Sequence, residues 1–137
     1  MAALSVTTTS IIKPSAGQSE TVTAGEAITI GQAVYRDSSD GLYKLTDADV
    51  ESAAVIRGIA LTQAAASGQP LVICTAGDLP MKSSGITVGA AYYVHTTPGA
   101  IGPIGDLGSG DYVSLVGISI SATSLRLNFL VTGVTVP

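Results

Sequence analysis

The first residues to weigh for chemistry are the acids of Asp47-Ala48-Asp49-Val50-Glu51, three carboxylates at alternate positions. In an extended segment they face one way, and hard oxygen ligands gathered on one face are what Ca²⁺ takes. A complete calcium loop counted from Asp47 would carry Gly and Glu where this chain has Ser52 and Gly58. Helix capping and solvation account for the cluster better. A Thr46 or Asp47 oxygen can accept the free backbone N–H groups at the start of a helical turn over residues 48–54. Asp37 and Asp40 read as hairpin-turn residues, because Asp hydrogen-bonds its own local backbone.

His95 is the single histidine and stands beside Thr96 and Thr97. A serine nucleophile on a strand-to-helix elbow needs Gly-x-Ser-x-Gly, and Gly108-Ser109-Gly110 has the wrong spacing. Zinc needs several His or Cys ligands, and here one His and one Cys lie far apart in sequence. Cys74, flanked by Val72, Ile73 and Ala76, reads as a small buried apolar residue, since nothing nearby would lower its pKa. The Gly-rich stretch 99–110 lacks the Gly-Lys-Ser/Thr ending of a phosphate loop. The expectation is no catalytic residue, no metal and no cofactor: a chain that is not an enzyme.

The elements that would position these residues come in two rounds. Ile30-Gly31-Gln32-Ala33-Val34-Tyr35 returns as Val88-Gly89-Ala90-Ala91-Tyr92-Tyr93, and Gly41 returns as Gly99, all at an offset of 58 (31 + 58 = 89; 41 + 58 = 99). One residue later in register, Ile56-Arg57-Gly58-Ile59-Ala60-Leu61 is echoed by Leu115-Val116-Gly117-Ile118-Ser119-Ile120. This is a duplicated β unit, two halves of one domain, over residues 28–77 and 86–131. Strands are expected at 27–36, 42–45, 55–61 and 70–75, then at 90–96, 112–121 and 124–131, with residues 37–41 and 97–99 as turns and 100–110 as a loop. A bend is expected at Gly31 and its counterpart Gly89. Turn signals that recur every 8–12 residues put the whole chain at about eight to ten short strands, which predicts an all-β fold, a compact β-barrel or β-sandwich.

Residues 1–24, rich in Ser and Thr, read as an extended N-terminal arm before a single β domain over 25–137. Its apolar Leu4, Val6, Ile11 and Ile12 have no partner of their own, and docking by strand addition or in a groove on a neighbouring capsid or decoration subunit would cover them.

With 137 residues the chain has room for one core. Charged residues make up 12% and hydrophobic ones 46%, and mean hydropathy is +0.48, a surface poor in charge that other protein would cover. Net charge −4 with scattered Lys and Arg argues against nucleic acid as a partner. Residues 58–77 are uncharged, but Ser67-Gly68-Gln69-Pro70 interrupts them, so no membrane span is expected. The first residues carry no signal-peptide pattern, and one cysteine excludes an internal disulfide; synthesis in a cytoplasm is expected.

The order Ala24-Gly25-Glu26-x-Ile28, Gly31-x-x-Val34-Tyr35, Gly41-x-Tyr43-x-Leu45, Gly58-Ile59-Ala60-Leu61 and Gly68-Gln69-Pro70 resembles the capsid decoration, or cement, proteins of tailed bacteriophages. Its continuation in Val88-Gly89-x-x-Tyr92-Tyr93-Val94, Thr97-Pro98-Gly99-x-Ile101, Gly110-x-Tyr112-Val113 and Gly117-Ile118 resembles the same family. The likeness spans residues 24–133 and rests on Gly, Ala and aliphatic positions; the doubled Tyr92-Tyr93 departs from the first half, and residues 1–20 match nothing. The resemblance implies a structural virion protein, made in the host cytoplasm. It would bind the outside of an icosahedral head as a homotrimer and tie neighbouring major capsid protein subunits together. The competing reading is a tail-fibre or baseplate module that binds a receptor or glycan through exposed aromatics. It finds Tyr35, Tyr43, Tyr92, Tyr93 and Tyr112 mostly in expected strands instead.

Overall fold

The structure, a computed structural model, describes residues 18–80, 86–122 and 124–137. Among them the chain forms nine strands: β1 (Gln18–Thr23), β2 (Ala33–Arg36), β3 (Tyr43–Leu45), β4 (Gly58–Ala60), β5 (Pro70–Pro80), β6 (Ala91–Val94), β7 (Ile101–Gly102), β8 (Tyr112–Ser121) and β9 (Ser124–Thr135). Two 3-10 turns, Ser52–Ala54 and Ile104–Asp106, are the only helical pieces among the described residues. The sheet is antiparallel and strongly curled, an all-β half-barrel.

Its strand order is β3-β2-β4-β5-β9-β8-β6-β7, with β1 laid on β5. Read inward from either edge, the two halves have one order: β2, β3, β4 and β5 stand where β6, β7, β8 and β9 stand, and the halves join where β5 pairs β9. The residue register repeats as well. Ala33 faces Ile59 and Val34 faces Gly58; Ala91 faces Ile118 and Tyr92 faces Gly117. Tyr35 opposite Lys44 recurs as Tyr93 opposite Gly102. Because side chains alternate faces along a strand, a slip of one residue would have reversed every one of these pairs.

The bends are equivalent too. Gly31 and Gly89 turn the chain at φ 91° and 83°, a conformation that glycine adopts without steric cost. Each donates its N–H over 2.9 Å, Gly31 to the Ala60 carbonyl and Gly89 to that of Ser119. These bends trim the expected strands: of residues 27–36 only Ala33–Arg36 is strand, and Ile28 instead makes a bridge to Ala64.

Other boundaries also moved. β5 continues beyond the expected end at Thr75 to Pro80 and so reaches both halves. β9 runs on to Thr135, and the expected loop 100–110 contains β7 and a 3-10 turn, the counterpart of β3 being too glycine- and proline-rich to announce itself. The arm expected over residues 1–24 ends earlier. Gln18–Thr23 pairs along β5 and Ala24 is fully buried, so the β domain already includes residue 18. Leu4, Val6, Ile11 and Ile12 lie outside the described residues.

Two cores result. Ala24, Ile28, Val34, Tyr43, Ala60, Ala64, Leu71 and Ile73 form one, inside the first half. The other joins the halves: Ala33, Ile59 and Cys74 from the first pack with Tyr92, Val94, Ile101, Val116, Leu125 and Leu127 from the second. Backbone hydrogen bonds lock this joint, from Ala33 N–H to the Gly99 carbonyl and from Gly99 N–H to the Thr46 carbonyl, both at 2.8 Å.

Candidate functional site

The polar candidates resolve into turn chemistry. Asp37 Oδ1 accepts the Ser39 N–H (2.9 Å) and hydroxyl (2.7 Å), Asp40 Oδ1 accepts the Leu42 N–H (2.9 Å), and Lys44 Nζ reaches both carboxylates at 2.7 and 3.1 Å. The Lys44 ammonium, with the Ser39 donors, holds the Asp37 carboxyl far below the usual carboxylate range. Asp40 is lowered first by the Leu42 N–H and then by Lys44, while the two acids push Lys44 up. All of this closes the β2–β3 hairpin.

His95 does the same work in the other half. It stands 58 residues after Asp37 (37 + 58 = 95), and its Nδ1 accepts the Thr97 N–H at 3.0 Å, as Asp37 accepts that of Ser39. Its Nε2 faces Asp106 Oδ2 at 3.3 Å, both side chains being largely buried. The partner Asp106 was not expected from the sequence; the repeat, which maps His95 onto Asp37, could have signalled the turn role.

The acidic cluster is likewise local. Asp47 Oδ1 accepts the Asp49 N–H at 2.9 Å, an Asx turn, and the 3-10 turn Ser52–Ala54 begins after Glu51 with no side-chain cap, so the expected cap at Thr46 or Asp47 is not made. Thr46 is buried and turns its hydroxyl to the Ala33 carbonyl (3.4 Å). Asp111 lies beside Asp49, next to the hydrogen bond from the Tyr112 N–H to the Ala48 carbonyl, and its carboxyl, followed by desolvation, raises the Asp49 pKa. Among the described residues no group of three or more His, Cys, Asp or Glu is placed to hold a metal ion. Cys74 is buried, its S–H donates to the Ala76 carbonyl at 3.3 Å, and burial pushes its pKa up.

The feature that remains is a surface. On the outer side of β8 and β9, Ile118 stands opposite Arg126 and Leu115 opposite Leu130, and directly paired residues share a face. Ile118 is 43% exposed and Leu130 57%; Ile120 and Val134 are exposed as well. Arg126 Nε binds Asp78 Oδ1 at 2.9 Å across β5 and β9, marking the polar end of this face. At the equivalent positions of the first half, Ile59 and Cys74 are completely buried in the joint between halves. The uncovered face of the second half is thus the counterpart of a packing face. Sequence alternation does not reveal it, because on β8 the apolar Ile118 is exposed and the polar Ser119 buried, the reverse of what an Ile-Ser alternation suggests.

No family model matches the chain, and no curated protein matches it significantly.

Proposed function

We propose that the chain is a structural capsid decoration protein. It binds the outside of an icosahedral phage head and reinforces contacts between major capsid protein subunits, and it acts as a homotrimer. The observation that carries this reading is the open face of the second half, where Ile118, Ile120 and Leu130 stand exposed although the equivalent face of the first half is a packing surface. Uncovered aliphatic side chains on a rigid sheet suit a protein partner. The low charge of the chain and its resemblance to cement proteins point the same way.

The receptor- or glycan-binding alternative calls for aromatic side chains in the open. All five tyrosines lie in strands, Tyr43 and Tyr92 buried and Tyr35, Tyr93 and Tyr112 partly buried, which favours packing roles.

The test is sedimentation of purified chain with expanded phage heads, together with light scattering of the chain alone. Co-sedimentation in multiples of three, abolished by Ile118→Lys, is the expected result. A chain that stays monomeric at high micromolar concentration and leaves the heads unbound would overturn the proposal.

A further inference from the structure

The turn that follows β6 is held by a ring nitrogen. His95 Nδ1 accepts the Thr97 N–H at 3.0 Å, and since a backbone N–H can only donate, Nδ1 carries no proton there. A neutral imidazole has one N–H, which is then on Nε2 and points to Asp106 Oδ2 at 3.3 Å. The two side chains are only 14% and 7% exposed.

The same turn fastens the halves to each other. Gly99 sits in it at φ 77°, donates its N–H to the Thr46 carbonyl and accepts the Ala33 N–H, both at 2.8 Å. The fit is close, because a Cβ on Gly99 would meet Leu45 Cδ2 at 2.8 Å and the Gln32 Cβ at 3.1 Å, both from the first half. Between Thr97 and Gly99 lies only Pro98, and Thr97 is tied further by its carbonyl, which accepts the Ala100 N–H at 3.0 Å. A change at Thr97 therefore reaches the joint.

We propose that the His95 turn is a pH-sensitive latch on the joint between the halves, closed while the imidazole is neutral and released when it takes up a proton. Protonation places a hydrogen on Nδ1, so the acceptor of the Thr97 N–H becomes a second donor facing it. Two donors repel at that distance. Either the ring keeps Asp106 and Thr97 moves off, or the ring turns and gives up both contacts; the Thr97 bond is lost in each case. The Gly99 bonds to Ala33 and Thr46 weaken with it. The first half holds the comparison. Its counterpart Asp37 accepts the Ser39 N–H with a carboxyl that Lys44 and the Ser39 donors keep far below the usual carboxylate range, so it still accepts in mild acid.

Among the described residues, the titratable group that meets the ring is Asp106. β6 and β8 bring Tyr92, Tyr93 and Tyr112, all neutral in mild acid, and β7 brings no titratable group. The Ala48 N–H donates to the His95 carbonyl at 3.2 Å, which sets Asp47 and Asp49 in the adjoining segment, with Asp111 beside Asp49. Across Gly99, Gln32 and Leu45 carry no charge, and Lys44 is tied to Asp37 and Asp40.

Nitrogen shifts of the imidazole and amide exchange in the full-length chain test the latch, with exchange corrected for its intrinsic pH dependence. His95→Asn serves as the second sample, since its side-chain oxygen accepts the Thr97 N–H without titrating. Expected at about pH 7.5 is the Nε2–H tautomer. On going to about pH 5, protection at Gly99 and Ala33 should fall about tenfold or more, that at Gly41, the counterpart of Gly99, should hold, and His95→Asn should show no fall. An Nδ1–H tautomer at the higher pH, or unchanged protection at Gly99 and Ala33, would overturn the proposal. So would an equal fall in His95→Asn, which would assign the effect to Asp47, Asp49 and Asp111.

Discussion

The first half of the sheet is covered on both faces and the second on one, although the two share strand order, register and bends. In the first half, neighbours along each strand enter different cores: Ala33 and Val34, Ile59 and Ala60, and Cys74 and Ile73 divide between the joint and the first half's own core. In the second half, Tyr92, Ser119 and Leu125 are buried, whereas Ile118 and Arg126, the counterparts of Ile59 and Cys74, face outward. The difference teaches that duplication preserves the backbone solution more strictly than the environment. Packing the first half's second face against the second half's first face leaves one face over.

The sharpest way to break this comparison is to truncate the same residue in both halves. Ile59→Ala should destabilise by about 3–4 kcal/mol, because it empties a site in the joint that cannot collapse freely. Ile118→Ala should cost less than about 1 kcal/mol in the isolated chain, since its side chain is already half in water. Urea unfolding of the two variants measures both, and similar losses would show that the outer face is covered in solution.

Next in size are the close approaches at Gly58 and Gly117. A Cβ at Gly117 would run into the Arg126 carbonyl, which is backbone and cannot yield, whereas at Gly58 it would meet the Ile73 Cδ1 methyl at 2.8 Å and the Cys74 carbonyl at 3.0 Å. Gly117→Ala is expected to cost about 3 kcal/mol and Gly58→Ala about 1–2, both read from the denaturant midpoint. The reverse order would mean that the β8–β9 pairing is the looser of the two.

A smaller effect is expected at the bends. Nothing lies within 4 Å of a Cβ placed on Gly89, so Gly89→Val measures backbone strain alone, about 1–2 kcal/mol of thermal stability.

The smallest effects are those of the exposed charges, and they oppose one another in acid. Asp37, Asp40 and Asp78 titrate below their ordinary values when folded. The stability they add is present above the ordinary carboxylate range and is lost as pH falls through their depressed values. Asp49 titrates above its ordinary value. What its protonated contact with Asp111 adds is present below the ordinary range and is lost as pH rises through the raised value. Lys44→Ala should therefore return the Asp37 carboxyl toward its ordinary range in a carbon-detected titration. Asp49→Asn should cause no loss of stability at neutral pH.

Of the fold, the repeated pattern of apolar, Gly and Tyr positions was legible because strand pairing makes the same local demands twice: glycine where the backbone turns or crowds, alternation where one face is buried. Cys74 as an apolar core residue and Asp37 and Asp40 as turn residues followed from their immediate neighbours. The pairing of His95 with Asp106 did not, since it depends on β7 folding back beside β6, nor did the approach of Asp49 to Asp111, which follows from the hydrogen bond between their neighbours Ala48 and Tyr112. The same holds for the extent of β5, which looks in sequence like a strand ending at Thr75 yet supplies edges to β1, β4 and β9. The amino-acid sequence by itself determined an all-β chain of two equivalent units, because periodicity and glycine placement are local properties. Only the tertiary structure decided which of two equivalent faces is buried, because burial depends on what is packed opposite and a strand carries no record of that in its own residues.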